Sequence, residues 1–219
     1  MPQLSDPLVL YAIAVVVALL GVELERRFLL ILAKPIATLA LIGVVVEGPA
    51  TLTVMLVAVG LGFSVIGDTV LLSNSRSAFV VGLFAFLVAH LLYATAFLWG
   101  GGVGPLWTTL VGVVIFGAAS GWLVRRMWGG LVPTLRVPLV IYCACCSAMA
   151  ATALATLAGP WPAWASMAAA AGALLFFLSD ANIAWLDFVE PYPHGQTVTL
   201  SLYWAGQLGI ALAARWTGG

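Results

Sequence analysis

The sequence predicts an all-α fold, a polytopic transmembrane bundle of eight helices. Hydrophobic residues make up 63% of the 219 positions and charged residues only 7%, whereas soluble domains carry about 25% charged residues. The mean hydropathy is +1.15. Eight apolar runs approach the roughly 17–25 residues that a helix needs to cross a bilayer. The net charge of zero gives no sign of a nucleic-acid partner.

We predict that the chain, 1–219, forms one integral membrane domain. Its helices are expected at 7–21, 28–46, 50–72, 78–98, 106–124, 137–158, 163–186 and 197–214. The first run lacks the basic flank of a signal peptide, so we expect it to be retained as a helix. Charged, polar or Gly/Pro-rich breaks separate the helices, at 23–27, 47–49, 73–77, 99–105, 125–136, 159–162 and 187–196.

The arginines fall mostly on one side of this predicted topology. The loops after odd-numbered helices hold Arg26, Arg27, Arg76, Arg125, Arg126 and Arg136, whereas the opposite side holds only Arg215. Cytoplasmic loops of membrane proteins carry an excess of Lys and Arg. We therefore expect these loops to be cytoplasmic and both termini to lie on the extracytoplasmic side.

Two carboxylates stand out because they lie inside apolar runs. The chain has 8 acidic residues, and only Asp68 and Asp180 are not near the end or a break of such a run. An ionisable group at the centre of a span costs about 2.5–3.5 kcal/mol on insertion scales, so it marks a functional site by default. Two close carboxylates do not both ionise easily, so one could donate a proton while the other accepts. The open alternative is structural, with Asp180 bonded to a Tyr or Asp68 paired with Lys34.

Several polar side chains share one predicted depth. At about 1.5 Å of rise per residue, five of them lie roughly 6–10 Å below the cytoplasmic boundary, namely Lys34, Asp68, Tyr142, Asp180 and Tyr203. His90 and Gln207 are expected nearer the midplane, and Tyr93 lies one turn beyond His90. A single polar cavity opening toward the cytoplasmic leaflet would explain this layer.

The two halves of the chain also show a weak internal sequence repeat. The third and seventh predicted helices both carry an Asp after a Phe-containing run, and the second and sixth open with a basic residue followed by Pro35 or Pro138. This offset of four helices suggests a parallel duplication of four helices, as found in some transporters.

Cysteine and histidine content argues against a zinc centre. Cys143, Cys145 and Cys146 crowd one apolar run without metal-like spacing, and we predict that they are packing residues. Two His in the chain weigh against a three-His zinc site.

Several sequence blocks resemble the YhhN-like membrane protein family, which includes the lysoplasmalogenases. The most specific block is 82–93, with the pattern G-L-x-A-F-x-x-A-H-x-x-Y. The other blocks are Lys34-Pro35, Gly67-Asp68, Tyr142 after Pro138, Phe177-Leu-Ser-Asp180 and Tyr203-x-x-x-Gln207. The resemblance spans residues 30–210, and it departs at Gly206, where Ala is expected.

The resemblance implies hydrolysis of the vinyl ether bond of lysoplasmalogens to a fatty aldehyde and a glycerophospho-ethanolamine or -choline. Such cleavage needs an acid that protonates the β-carbon, a base that activates water, and negative charge beside the oxocarbenium ion, a demand that glycosidases meet with two carboxylates. Asp68 and Asp180 are the expected catalytic residues, with the acid and base roles left open. The expected substrate-binding or supporting residues are Lys34, His90, Tyr93, Tyr142, Ser179, Tyr203 and Gln207.

The same resemblance implies neither a metal nor an organic cofactor. The implied partners are a lysophospholipid substrate and membrane lipids, and the expected location is the bacterial inner (cell) membrane. Lys34 would tune an Asp or hold a phosphate.

Three other classes remain as alternatives. A proton-coupled transporter could use the same Asp pair, although a one-sided polar layer argues against a pathway through the membrane. An intramembrane aspartyl protease lacks its pattern here, because Ser179 precedes Asp180 and Val65 stands two residues before Gly67. A zinc-dependent lipid amidase is disfavoured by the lack of His.

Overall fold

A computed structural model of the chain describes residues 6–73, 75–100 and 102–217, apart from the side chain of Arg76. Positions 74 and 101, in two of the predicted breaks, lie outside the described residues. The helices are α1 (Asp6–Glu23), α2 (Arg27–Val46), α3 (Leu52–Val70), α4 (Arg76–Trp99), α5 (Leu106–Met127), α6 (Pro133–Ala155), α7 (Ala163–Phe188) and α8 (Gly195–Arg215). All eight are long and apolar enough to cross a membrane, which confirms the predicted all-α fold of eight helices.

Local capping explains several helix boundaries. The side chains of Thr51 and Ser75 accept hydrogen bonds from the backbone N–H groups of Val54 and Ala78, the usual N-cap arrangement. The largest difference from the prediction is at α6, which begins at Pro133 rather than at 137. Proline suits a first helical turn because its missing N–H has no partner there anyway. Arg136 therefore lies inside a helix and not in the predicted connection.

The end of α1 has an unusual residue in its turn. The Arg26 N–H donates to the Gly21 carbonyl and the Glu25 N–H to the Val22 carbonyl, which is the Schellman pattern of helix termination. The left-handed position of this motif usually holds Gly, but here it holds Glu25, with φ of 54°.

Apart from α4 and α5, helices adjacent in sequence pack as antiparallel neighbours, and longer-range contacts close the bundle. In particular, α2 packs on α8, and α4 packs on α6. Large apolar side chains such as Phe84, Val114 and Met167 are exposed on the outer surface, as expected where lipid is the solvent. Polar side chains such as Asp68 and Gln207 are fully buried. The protein is an integral membrane protein whose largely apolar core contains several buried polar side chains.

Small residues bring α7 and α8 together. A Cβ added at Gly172 would lie 2.7 Å from the Ile210 backbone nitrogen, and one at Gly206 would lie 2.7 Å from the Phe176 nitrogen. Small residues allow close helix approach in membranes, where packing drives association. This close contact fixes Asp180 on α7 relative to Tyr203 on α8.

Candidate functional site

One cavity collects the five side chains predicted to share a depth. It holds about 900 Å³ including its open mouth, and its lining includes Lys34, Asp68, Tyr142, Asp180 and Tyr203. Apolar side chains from α3 to α8 form most of the remaining lining. The cavity therefore combines a few polar groups with an apolar wall, the usual composition of a small-molecule site.

Asp68 lies on α3, and its side chain is completely buried. The Lys34 ammonium on α2 is 3.1 Å from Oδ1. Hydrogen bonds to Oδ2 come from the hydroxyls of Thr38 on α2 and Tyr203 on α8, both at 2.8 Å. Among the described residues, Oδ1 receives no hydrogen bond besides this ion pair. The negative charge of Asp68 is therefore balanced by a neighbouring cation.

Asp180 lies on α7 and has a different set of partners. Its Oδ2 is 3.0 Å from His90 Nε2 on α4 and accepts hydrogen bonds from the Tyr142 hydroxyl at 3.0 Å and the Cys146 thiol at 3.3 Å, both on α6. The Asp180 side chain is 10% exposed, whereas Asp68 is 0% exposed. All the contacts fall on Oδ2, so they leave Oδ1 available to a group in the cavity.

The hydrogen bonds of His90 define where its protons lie. Nδ1 is 2.6 Å from the Phe86 carbonyl, and a carbonyl can only accept, so Nδ1 carries a proton. Nε2 lies 3.0 Å from the Asp180 Oδ2, which is hydrogen-bond distance. A hydrogen bond here would join either imidazole with carboxylic acid or imidazolium with carboxylate. The cavity wall thus holds an imidazole and a carboxyl group in direct contact.

The two carboxylates do not touch each other. Among the described residues, no hydrogen bond joins the Asp68 cluster to the Asp180 cluster. The Phe176 ring packs against one ring of each cluster, with its centroid 4.6 Å from that of His90 and 5.4 Å from that of Tyr203. The expected aspartate pair is thus two separate clusters that face one cavity, and the carboxylates do not share a proton directly.

Tyr93 and Gln207 lie in a third polar cluster. The Tyr93 hydroxyl donates to Gln207 Oε1 at 2.9 Å, and Gln207 Nε2 donates to the Ser64 hydroxyl at 3.0 Å. All three side chains are fully buried and lie outside the lining of the cavity. Ser179 lines the cavity, but its hydroxyl donates to the Thr199 carbonyl at 3.0 Å. These contacts tie helices together.

Thr38 and Cys146 were missed as site residues by the sequence prediction. Each lies four residues after a predicted residue on the same helix, Lys34 on α2 and Tyr142 on α6, and therefore on the same helix face. This spacing of four residues is the sequence signal by which both residues could have been predicted. Cys146 was predicted to be a packing residue, but its thiol contacts both Asp180 and His90, the latter at 3.5 Å.

One group of side chains has the donor set of a metal site. His90 Nε2, Cys146 Sγ and a carboxylate oxygen of Asp180 all lie within 4.8 Å of one another, and nitrogen, sulfur and oxygen from these residue types are zinc ligands. His90 also donates its other ring N–H to a carbonyl, as ligating His residues do. Either hydrogen bonds or a bound cation would account for the short distances among these three atoms. The effect of a chelator on activity distinguishes the two.

The fold and the cavity define a class: integral membrane proteins with buried carboxylates facing an apolar, lipid-sized site. The chain matches the YhhN family model over residues 29–214, and it belongs to the YhhN family. It is similar to lysoplasmalogenase TMEM86A of Bos taurus, 38% identical over 160 residues, and to lysoplasmalogenase TMEM86B of Homo sapiens, 37% identical over 151 residues. The family predicted from the sequence is thereby confirmed.

The matched relatives are longer than this chain. The alignments cover 71% and 69% of this chain, but only 63% of the Bos taurus relative and 59% of the human one. The chain thus spans less than two thirds of the length of these curated relatives. No solved structure shows a significant match to the chain.

Proposed function

We propose that this protein hydrolyses the vinyl ether bond of lysoplasmalogens inside the membrane, releasing a fatty aldehyde and a glycerophospho-ethanolamine or -choline. The observation that carries this proposal is one largely apolar cavity whose wall holds Asp68 and Asp180 in contrasting surroundings. The names of the matched relatives support the same reaction. A proton-coupled transporter, the main alternative from the sequence, is not favoured by relatives that are named as hydrolases.

The apolar lining of the cavity suggests where an alkenyl chain would lie. Lys34 and Asp68 line it from α2 and α3, whereas Leu123 and Leu139 line it from α5 and α6 and belong to a separate apolar cluster. An alkenyl chain fits beside that cluster, with Asp180 nearer to it, because Ala181 of the same helix packs against the cluster. The glycerol end of the substrate would then lie toward Lys34 and Asp68.

In this pose Asp180 is the acid. Asp180 carries a proton in its contact with His90 and transfers it to the second carbon of the alkenyl chain. The first carbon then becomes an oxocarbenium ion. His90 stays oriented by the Phe86 carbonyl, while Tyr142 and Cys146 donate to the carboxylate that remains. Positioned proton transfer of this kind contributes about 10²–10⁴-fold to a rate.

Asp68 supplies the negative charge and the base. Its carboxylate, held by Lys34, Thr38 and Tyr203, stabilises the cation and takes a proton from the water that adds to it. The resulting hemiacetal collapses when Asp68 returns this proton to the glycerol oxygen. The hemiacetal hydroxyl gives its proton to Asp180, which restores the starting state and balances the reaction.

Aldehyde release from a vinyl-ether lysolipid in detergent tests the proposal, with the saturated alkyl-ether twin as control. Only the vinyl ether should react. In D₂O, the aldehyde product, promptly reduced to the alcohol, should carry one deuterium on its second carbon. No release by the native protein would overturn the proposed function. Release without deuterium would overturn the acid step alone.

We also propose that the cavity end of the bundle faces the cytoplasm and that the protein resides in the bacterial inner membrane. The arginine-bearing loops support this orientation. In intact cells an impermeant thiol reagent should label Ala50→Cys, in the α2–α3 connection, and leave Arg26→Cys, in the α1–α2 turn, unlabelled until the membrane is opened. The reverse pattern would overturn the orientation.

A further inference from the structure

A second cavity adjoins the first at the same end of the bundle. It holds about 850 Å³ including its mouth, and its polar lining residues are Glu25, Arg27, Lys34 and Gln196. Leu71 and Leu200 line both cavities, as does Lys34. A molecule could therefore extend from one cavity into the other past the Lys34 ammonium.

The second cavity carries charges of both signs. The Arg27 guanidinium donates through Nη2 to the Leu72 carbonyl at 2.7 Å, which holds it against the wall and leaves donors for another acceptor. The ion pairs within the described residues involve neither Arg27 nor Glu25. A guanidinium and an ammonium suit a phosphate, and a carboxylate suits an ammonium group.

The backbone at Glu25 is strained. Its φ of 54° lies in the left-handed region, which residues other than Gly seldom adopt. The Schellman motif that ends α1 would accept Gly at this position at lower cost. Strained non-Gly residues cluster at functional sites, and the Glu25 side chain lines the cavity.

We propose that the second cavity binds the zwitterionic headgroup of a single-chain ether phospholipid, with the phosphate at Arg27 and Lys34 and the ammonium group at Glu25. This inference rests on the proposed function and deepens it, because it names the part of the substrate that sets specificity. The glycerol spans the passage at Lys34, which places the ether bond beside Asp68 and the chain in the apolar cavity.

Binding of saturated alkyl-ether twins to the full chain tests this inference independently of turnover. Three ligands share one chain: alkylglycerol, alkylglycerophosphate and alkylglycerophosphoethanolamine. By titration calorimetry, Arg27→Gln should lower the affinity for both phosphate-bearing ligands about tenfold, the effect of one lost charge-assisted hydrogen bond. The affinity for alkylglycerol should not change. Arg26→Gln is the matched control, since Arg26 does not line the cavity, and it should leave all three affinities unchanged.

Two variants of Glu25 distinguish a role in ligand binding from a purely structural role. Glu25→Gly should relieve the backbone and raise the melting temperature, yet abolish the preference for the ethanolamine ligand over alkylglycerophosphate. Glu25→Gln should lose the preference without the gain in stability. A preference retained in both variants would overturn the assignment of Glu25.

Other outcomes are equally decisive. The headgroup site would be overturned if Arg27→Gln bound all three ligands as tightly as the native protein. It would also be overturned if the affinity for all three fell equally. Inorganic phosphate alone should not displace alkylglycerophosphoethanolamine. Displacement would assign the cavity to free phosphate. Failure of the proposed function is a separate result, namely no aldehyde from the native protein with the vinyl-ether substrate.

Discussion

The Asp68 and Asp180 clusters have the same construction and different chemistry. Asp68 on α3 takes partners from α2 and α8, and Asp180 on α7 takes partners from α6 and α4. A shift of four helices relates the two sets. In each, the helix preceding the carboxylate supplies two partners four residues apart, and one ring comes from a further helix.

The correspondence extends to the residue before each carboxylate. Gly67 lies against the Phe86 ring, and Ser179 donates to the Thr199 carbonyl. Phe86 and Thr199 each stand four residues before the ring partner of a carboxylate. The contacts repeat with an offset of four helices, and the internal duplication stays a prediction from the sequence.

The difference lies in what balances each carboxylate. A lysine ammonium pairs with Asp68, whereas Asp180 contacts an imidazole, a phenol and a thiol. Contrasting environments of this kind let two carboxyls take different acid and base roles. The proposed base role of Asp68 and acid role of Asp180 rest on this contrast.

The largest effect should come from Asp180→Asn. An amide cannot deliver the proton, so kcat for vinyl-ether hydrolysis should fall about 10²–10⁴-fold, while the melting temperature and the affinity for the alkyl-ether twin change little. Near-normal turnover would show that Asp180 is not the acid and that the two clusters do not differ in this way.

Asp68→Asn should act on stability as well as turnover. It leaves the Lys34 ammonium without its partner in a largely buried position, a cost on the order of 3–5 kcal/mol. Adding Lys34→Met should restore thermal stability but not aldehyde release. If the single variant is as stable as the native protein, the ion pair does not distinguish the two clusters.

His90→Gln should give an intermediate effect. Loss of a hydrogen bond to a charged group costs about 1.5–3 kcal/mol, which predicts a fall in kcat of about 10- to 100-fold with KM nearly unchanged. A change confined to KM would show that His90 positions substrate and does not hold the proton.

Cys146→Ala should have the smallest effect, less than about threefold on kcat, because a thiol is a weak hydrogen-bond donor. Chelators should likewise leave the activity unchanged. A large loss from both treatments would show that His90, Cys146 and Asp180 hold a cation, and the Asp180 cluster would then be a metal centre.

Hydropathy predicted the number of helices, because each span must satisfy its own backbone in lipid. The rise per residue also predicted a layer of five side chains, and all five line one cavity. Depth alone does not give rotation about the helix axis. Tyr93 and Gln207 therefore could not be distinguished from cavity residues, although they hydrogen-bond each other in a separate cluster.

Two further features escaped prediction for local reasons. Pro133 starts α6 four residues early, because a proline that breaks a helix also favours its first turn. Cys146 resembles a small apolar residue in composition, so only its neighbours in space show its polar contacts. The orientation of the His90 ring toward Asp180 depends on the Phe86 carbonyl, a backbone group that no sequence motif encodes.

The contact of the Phe176 ring with both His90 and Tyr203 has one more consequence. Protons move along chains of hydrogen bonds, and an aromatic ring interrupts such a chain. Under the proposed roles, the acid would have no hydrogen-bonded path to the base through Phe176. Proton transfer between them would then run through the cavity, by way of substrate and water.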